Sequence, residues 1–285
     1  MWINVFNVLN NVFTKRNLTD VKDHQKSKYL ERALVEYNLP KVKNDFAANF
    51  DTVYQYLAKN YRNEYFVKNE MLNQMVLAKG TDKVSAFREL PIAQCIADFV
   101  INDKRSEVFE IKTDLDTLTR LPNQVFNYYQ AFPLVSVITV EKHLQELKQN
   151  LPSPDLGIYL FTNDNRIECL KQPKLHFDQL NYYAMFTILR KGEQENILMK
   201  YFQAMPTCDI FHFYECCYNL FKKIPIKTAQ LEFEKQFKLR HLNVYPKNPN
   251  IMQKIPYSLR EVIYFADFSR PQANKITQVL NVKKG

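Results

Sequence analysis

Two strand-like segments around one short polar turn constrain this chain more than any other part of its sequence. Ile92 to Ile101 and Glu107 to Lys112 are rich in Val, Ile and Phe, and the polar residues Asn102-Asp103-Lys104-Arg105 lie between them. This arrangement predicts an antiparallel β-hairpin, because polar turn residues between two strand-like runs are its usual signal. The hairpin in turn fixes which side chains lie opposite each other.

The predicted hairpin brings three charged side chains to one patch of sheet. If the turn is centred near Lys104, Asp98 and Glu110 are direct cross-strand partners. Side chains alternate along a strand, so Lys112 shares the face of Glu110 while Ile111 points the other way. Paired carboxylates among apolar strands are costly unless they bind something, and Mg²⁺ or Mn²⁺ suits oxygen ligands. The alternative is a surface hairpin whose charges pair in solvent with little energetic consequence.

The segments after the hairpin mix helices with strands. Apolar periodicity predicts a helix over residues 118–132, a strand over 134–140, a short helix over 141–150, and a second hairpin of residues 157–162 and 166–170. This mixture predicts an α/β fold with a central mixed sheet flanked by helices, whose core spans residues 81–172.

The regions on both sides of this core have the spacing of amphipathic helices. Residues 1–80 are predicted to be a helical segment that packs on the core, with Gly80 ending its last helix. Residues 173–285 are predicted to be mainly helical, interrupted by prolines. The role of this C-terminal region is left open, and a protein partner that binds it is one alternative.

Composition narrows the classes of function. The formal net charge of +9 suits a polyanionic partner such as nucleic acid. Only 4 Gly occur, so the chain has no Gly-rich loop of the kind that cradles nucleotide phosphates. The 5 Cys follow no disulfide framework, no stretch has the apolar length of a membrane span, and the N-terminus does not resemble a signal peptide. We therefore expect a soluble, cytoplasmic protein that does not enter a membrane.

A resemblance to a known group of proteins rests on the hairpin and the helix that follows it. The sequence reads Ile-Ala-Asp98-Phe-Val, then Phe-Glu110-Ile-Lys112, then Gln124-x-x-x-Tyr128. This order resembles the PD-(D/E)XK nuclease superfamily, and specifically its RecB-like branch with a Q-x-x-x-Y motif. Residues 64–162 are also similar to the uncharacterised bacterial "sce" locus-tag family. The proline that often precedes the first motif aspartate is Ala97 in this chain.

The resemblance implies a restriction-endonuclease-like sheet and metal-dependent hydrolysis of phosphodiester bonds. It assigns Asp98, Glu110 and Lys112 to catalysis. It places Mg²⁺ or Mn²⁺ on Asp98, Glu110 and the carbonyl of Ile111, with Glu89 as a further ligand, since an acidic residue on an upstream helix often completes the site. Lys112 would orient or activate the attacking water.

The same resemblance implies a nucleic-acid partner. Gln124 and Tyr128, four residues apart on one helical face, would position the strand, and Arg120 would contact a phosphate. DNA is expected rather than RNA, with phage defence or mobile-element biology as the setting by analogy. Two alternatives stay open: a nucleic-acid-binding module that has lost catalysis, and a toxin or interaction protein on the same fold.

Overall fold

The computed structural model describes residues 7–80, 84–240 and 249–281. They divide into two compact units. Of the described residues, the helical unit contains 7–80, Val84, 163–167 and 249–281, and the sheet unit contains 85–162 and 168–240. In the described residues, none of the helices is both long and apolar enough to cross a membrane.

In the described residues, the helical unit contains eight α-helices. They are α1 Asn7–Val12, α2 Lys15–His24, α3 Lys28–Glu36, α4 Phe46–Asn60, α5 Glu64–Met71, and, in the C-terminal part, α12 Pro249–Met252, α13 Arg260–Phe265 and α14 Arg270–Asn281. Asp45 and Asn63 cap α4 and α5, because their side-chain oxygens accept hydrogen bonds from the otherwise unpaired backbone amides of Ala48 and Phe66. The helical prediction for the described part of residues 1–80 is confirmed.

The end of this helical run follows from its local sequence. A π-helical turn, Leu72–Val76, and a 3-10 turn, Leu77–Lys79, continue α5. Gly80 then has φ 93°, a conformation that costs a glycine little. The predicted stop at Gly80 is confirmed.

The sheet unit is built on one mixed sheet. Its strands lie in the order of the chain and are β1 Ser85–Ile92, β2 Cys95–Asn102, β3 Ser106–Lys112, β4 Leu134–Thr139, β5 Gly157–Phe161 and β6 Ile167–Lys171. β1, β2 and β3 pair antiparallel, whereas β3, β4 and β5 pair parallel. The predicted class, an α/β fold with a mixed sheet flanked by helices, is confirmed.

Helices cover one face of this sheet. They are α6 Leu121–Tyr129, α7 Glu141–Gln149, α8 Tyr182–Ile188, α9 Lys191–Phe202, α10 Phe213–Phe221 and α11 Ile226–Leu239. Val100 and Val108 from the strands pack in one buried cluster with Val125 of α6 and Phe233 of α11. The helices that follow the sheet, α8 to α11, thus share its core.

The predicted start of the first strand was wrong. It was expected to run from Ile92 to Ile101, but the chain forms an additional strand, β1, and turns at Ala93 and Gln94 before β2 begins at Cys95. Ala93 has φ 51° in this turn. Because the apolar run continues through Ile92 and Ile96, the sequence pattern hides the turn.

Candidate functional site: a buried carboxylate–lysine cluster

The register of the β2–β3 hairpin sets the geometry of the site. Val100 pairs with Val108 and Asn102 with Ser106, so the turn is centred on Lys104, as predicted. The ladder of paired residues ends at Phe99 and Phe109. One position further along, Asp98 Oδ2 accepts a hydrogen bond of 2.8 Å from the backbone amide of Ile111. The Asp98 side chain thus lies against the β3 backbone, next to Glu110.

Glu110 is the centre of a hydrogen-bonded cluster and is only 2% exposed. Its Oε1 accepts from Lys112 Nζ at 2.8 Å and from Gln124 Nε2 at 2.5 Å. Its Oε2 accepts from the Tyr128 hydroxyl at 2.6 Å. A buried carboxylate is costly without such partners, and here three donors hold it in one orientation.

Lys112 is held from two sides. Its side chain is 3% exposed, and Nζ donates to Glu110 and, at 2.9 Å, to Gln124 Oε1. An ammonium group has three donors, so one hydrogen remains after these two bonds. The amide of Gln124 bridges the ion pair, since it accepts from Lys112 and donates to Glu110.

Tyr128 faces the interior of the site. It is fully buried, and its hydroxyl lies 2.8 Å from the backbone carbonyl of Ile96 as well as near Glu110. Burial raises the pKa of Tyr128 far above its ordinary value, and the negative charges of Glu110 and Asp98 add to the effect. The hydroxyl therefore stays protonated and remains a donor to the carboxylate.

α6 presents both residues because its sequence favours a helix at this point. Pro122 falls in the first turn, where a missing amide costs no helical hydrogen bond. Gln124 and Tyr128 are one turn apart on the face toward β3, and the intervening Val125 anchors the helix in the core. The predicted helix over 118–132 is shorter in the structure, Leu121–Tyr129.

Glu89 does not lie on a helix, and that expectation was wrong. It is an exposed residue of β1, where the pairing of Arg88 with Phe99 and of Leu90 with Ala97 places it opposite Asp98. Its φ of 52° is left-handed, which is uncommon for a residue other than glycine. The backbone is thus distorted at the point where β1 passes Asp98.

The other predicted residues lie at the edges of the cluster. Ile111 points away from Glu110 as expected, with its side chain buried at 4% exposure. Arg120 is exposed at the position preceding α6. Burial and the negative charge of Glu110 raise the pKa of Cys95, and the positive charge of Arg120 offsets part of this rise. Arg120, Glu110 and Cys95 are therefore within electrostatic reach of one another.

Cys95 and the carbonyl of Ile96 are components of the site that sequence reasoning did not identify. Asn123 Nδ2 lies 3.6 Å from Cys95 Sγ, and Ile96 supplies the acceptor beside Tyr128. A backbone carbonyl carries no residue-type signal, and Cys95 belongs to no spaced motif. Only the packing of α6 against the start of β2 brings these groups to Glu110.

The residues of the cluster suit a Mg²⁺ or Mn²⁺ ion that is also held by water and substrate, and they do not form a site made of protein ligands alone. In the described ranges, no three His, Cys, Asp or Glu side chains form a group that could hold a metal ion. Mg²⁺, however, is usually bound through one or two carboxylates together with water and substrate phosphates. Asp98 and Glu110 supply that pair, and since a carboxylate has about four acceptor positions, the three donors at Glu110 leave one for a cation.

Comparison with known proteins identifies a phage protein family. The family model described as Bacteriophage P4 protein cII matches residues 57–244, which is more than half of the chain and includes the whole cluster. Protein cII of Enterobacteria phage P4 is 28% identical over 134 residues, 46% of this chain and 45% of that protein. The chain thus matches less than half the length of this relative, and no solved structure matches.

Proposed function

We propose that this chain, which belongs to the bacteriophage P4 protein cII family, is a Mg²⁺- or Mn²⁺-dependent nuclease. The observation that carries the proposal is the convergence of Asp98, Glu110 and Lys112 with Gln124 and Tyr128 in one buried hydrogen-bonded cluster. Membership of a phage family favours the setting of a mobile element over defence against one. DNA remains the expected substrate and RNA the alternative.

The residues of the cluster divide into ligands and positioning groups. Asp98 and Glu110, with the Ile111 carbonyl, would hold the ion, which when bound polarises a phosphoryl oxygen and lowers the pKa of a water. Lys112 keeps one donor for the attacking water or for charge that develops on the phosphate. Because Glu110 and Lys112 are almost fully buried, the substrate phosphate would have to enter a narrow opening.

Gln124 and Tyr128 are proposed to act mainly through Glu110 and Lys112. Tyr128 has no exposed surface with which to touch nucleic acid, whereas its hydroxyl orients the carboxylate. Gln124 holds the ammonium group and is half-buried, so it alone of the two can also reach a substrate. Arg120, exposed at the start of α6, is proposed to contact a phosphate.

Cleavage assays test the proposal on the full chain. Linear DNA, circular DNA, single-stranded DNA and structured RNA are incubated with Mg²⁺, Mn²⁺ or EDTA. We expect metal-dependent cleavage, reduced by about 10²–10³-fold in Lys112→Ala and Asp98→Asn, because each removes a group aimed at the reacting phosphate. Lys148→Ala is the matched control, since Lys148 is an exposed residue of α7 outside the cluster. Equal activity of Lys112→Ala, or no cleavage with either metal, contradicts the mechanism.

A second candidate is a nucleic-acid-binding module that no longer cleaves. The observation that favours it is the internal pairing of the site, in which Lys112 already neutralises Glu110 and no third carboxylate joins the group within the described residues. Calorimetric titration with Mn²⁺ separates the two candidates. An enzyme should bind the ion and lose it in Asp98→Asn, whereas the module should bind DNA equally well in Mn²⁺ and in EDTA.

A further inference from the structure

A cluster of exposed tyrosines lies on the helices that follow the sheet. Tyr183 of α8 is 57% exposed and Tyr214 of α10 is 47% exposed. The ring of Tyr214 packs on the buried ring of Phe186, with centroids 5.1 Å apart, and Tyr183 packs on the half-buried Tyr218 at 5.7 Å. We call this surface, formed by Tyr183, Tyr214 and Tyr218, the aromatic face.

The packing beneath this face holds the rings in place. Phe186 is fully buried and also lies 5.4 Å from Tyr218 and 5.3 Å from Phe221 of the core. The phenol hydroxyls of the aromatic face donate to no acceptor within the described residues. The tyrosines are thus anchored by their rings while their polar ends face solvent, which is the amphipathic character that suits tyrosine to recognition surfaces.

Basic side chains border the aromatic face. Tyr214, Tyr218 and Lys222 follow each other at intervals of four along α10 and its C-cap, so they share one side of the helix. Lys222 Nζ lies 4.8 Å above the Tyr218 ring. Lys227, at the start of α11, lies 5.0 Å above the ring of Phe177 in the same way. A cationic group thus lies directly on a ring of the aromatic face, and a second lysine–ring pair follows a few residues later in the chain.

The charge balance of this region favours an anionic partner. Lys222, Lys223 and Lys227 are exposed, and none has a carboxylate partner in the part of the chain that the structure describes. Three of the four carboxylates between α8 and α10 are already paired, as Glu193 with Arg240, Glu195 with Lys191 and Asp209 with His212. Glu215 is the fourth, and Asp178, next to Phe177, also has no ion-pair partner within the described residues, so three uncompensated cations stand against two anions.

We infer that the aromatic face binds single-stranded nucleic acid, with bases stacked on Tyr183 and Tyr214 and a backbone phosphate next to Lys222. Stacking on exposed aromatic rings combined with a basic border is the usual way in which proteins hold single strands without sequence preference. Intact duplex cannot use the rings, since its bases are already stacked inside. A protein partner fits less well, because lysine is depleted in the centres of protein interfaces.

Fluorescence anisotropy with a labelled oligothymidine, in EDTA so that cleavage plays no part, tests the inference on the full chain. We expect Tyr183→Leu and Tyr214→Leu each to weaken binding by roughly 5- to 100-fold, because leucine keeps apolar area but has no ring. Tyr183→Phe should bind almost as the wild type. Tyr201→Leu is the matched control, because Tyr201 of α9 is 38% exposed and lies outside the aromatic face.

The salt dependence of oligonucleotide binding is a second measurement, and it would not change if Lys222 had only a structural role. Lys222→Ala should reduce the slope of log K against log salt by about 0.7, the value for one phosphate contact on a single strand. Lys148→Ala, a change of an exposed lysine in α7, should keep the wild-type slope, and because all binding is measured in EDTA the result does not depend on the proposed nuclease. The inference is overturned if both leucine variants bind the oligonucleotide as tightly as the wild type. It is also overturned if the wild type self-associates and the leucine variants become monomers without losing affinity for the oligonucleotide.

Discussion

At the scale of single residues, Tyr128 joins α6 to two strands of the candidate site. Its position four residues after Gln124 is visible in the sequence, but its contacts are not. The hydroxyl reaches a carboxylate on β3 and a carbonyl on β2, and both lie in the interior. A residue expected to touch nucleic acid thus lies where its hydroxyl can orient the buried carboxylate of Glu110.

Removing this hydroxyl should destabilise the sheet unit while leaving its packing in place. We expect Tyr128→Phe to lower the free energy of unfolding by about 1.5–3 kcal/mol, because hydrogen bonds to buried charged groups contribute that much. Urea denaturation at neutral pH measures it. Tyr183→Phe is the control, since that hydroxyl is exposed, and a similar loss in both variants would contradict the role of the Glu110 bond.

At the scale of elements, the parallel pair β4–β5 depends on a close approach. Ser136 of β4 pairs with Gly157 at the start of β5. A Cβ at position 157 would lie 2.0 Å from Ser136 Oγ and 2.9 Å from Pro173 Cδ. Ser136 Oγ is itself held by Glu107 at 2.5 Å, so it cannot easily turn away. Glycine is required at position 157 by its neighbours.

The two glycines of the sheet unit should therefore respond in opposite ways to the same substitution. Gly157→Ala should lower the free energy of unfolding by about 1–3 kcal/mol through overpacking. Gly192→Ala in α9, where an added Cβ meets nothing within 4 Å, should leave it unchanged or raise it by up to about 1 kcal/mol. Thermal unfolding of both variants checks this, and a stable Gly157→Ala would show that Ser136 can move.

At the scale of the whole molecule, each unit buries a tyrosine beside a carboxylate. Tyr54 in the helical unit donates to Glu70 at 2.7 Å, as Tyr128 does to Glu110 in the sheet unit. Burial raises the pKa of both tyrosines well above their ordinary value, and the neighbouring carboxylate raises it further. Both phenols must therefore stay neutral for the protein to remain folded.

This shared feature predicts a loss of stability in alkali. Above about pH 10 the tyrosines of the unfolded chain release protons that the folded protein retains, so the free energy of unfolding falls as pH rises. Each such tyrosine contributes a slope of about 1.4 kcal/mol per pH unit. Denaturation series between pH 8 and 11 should show the fall, and Tyr54→Phe and Tyr128→Phe should each reduce its slope. An unchanged slope in both would contradict the assignment.

Much of the fold and the centre of the site were predictable because they depend on local periodicity. The alternation of side chains and the polar turn determine the register that brings Asp98 to Glu110 and Lys112 to the same face. β1 was missed because the apolar residues on both sides of Ala93 and Gln94 hide the turn between the two strands. Glu89 was placed on a helix by the family resemblance alone, and its φ of 52° has no residue-type signal.

The sequence alone thus determined the mixed α/β class, the hairpin and the identity of the charged residues in it. Only the tertiary structure decided that Gln124 and Tyr128 turn inward to Glu110, that Gly157 must be a glycine, and that Tyr214 and Tyr218 of α10 pack on Phe186 of α8. The physical reason is the range of the interactions. Periodicity acts between residues a few positions apart, whereas these contacts join segments that come together only when the core packs.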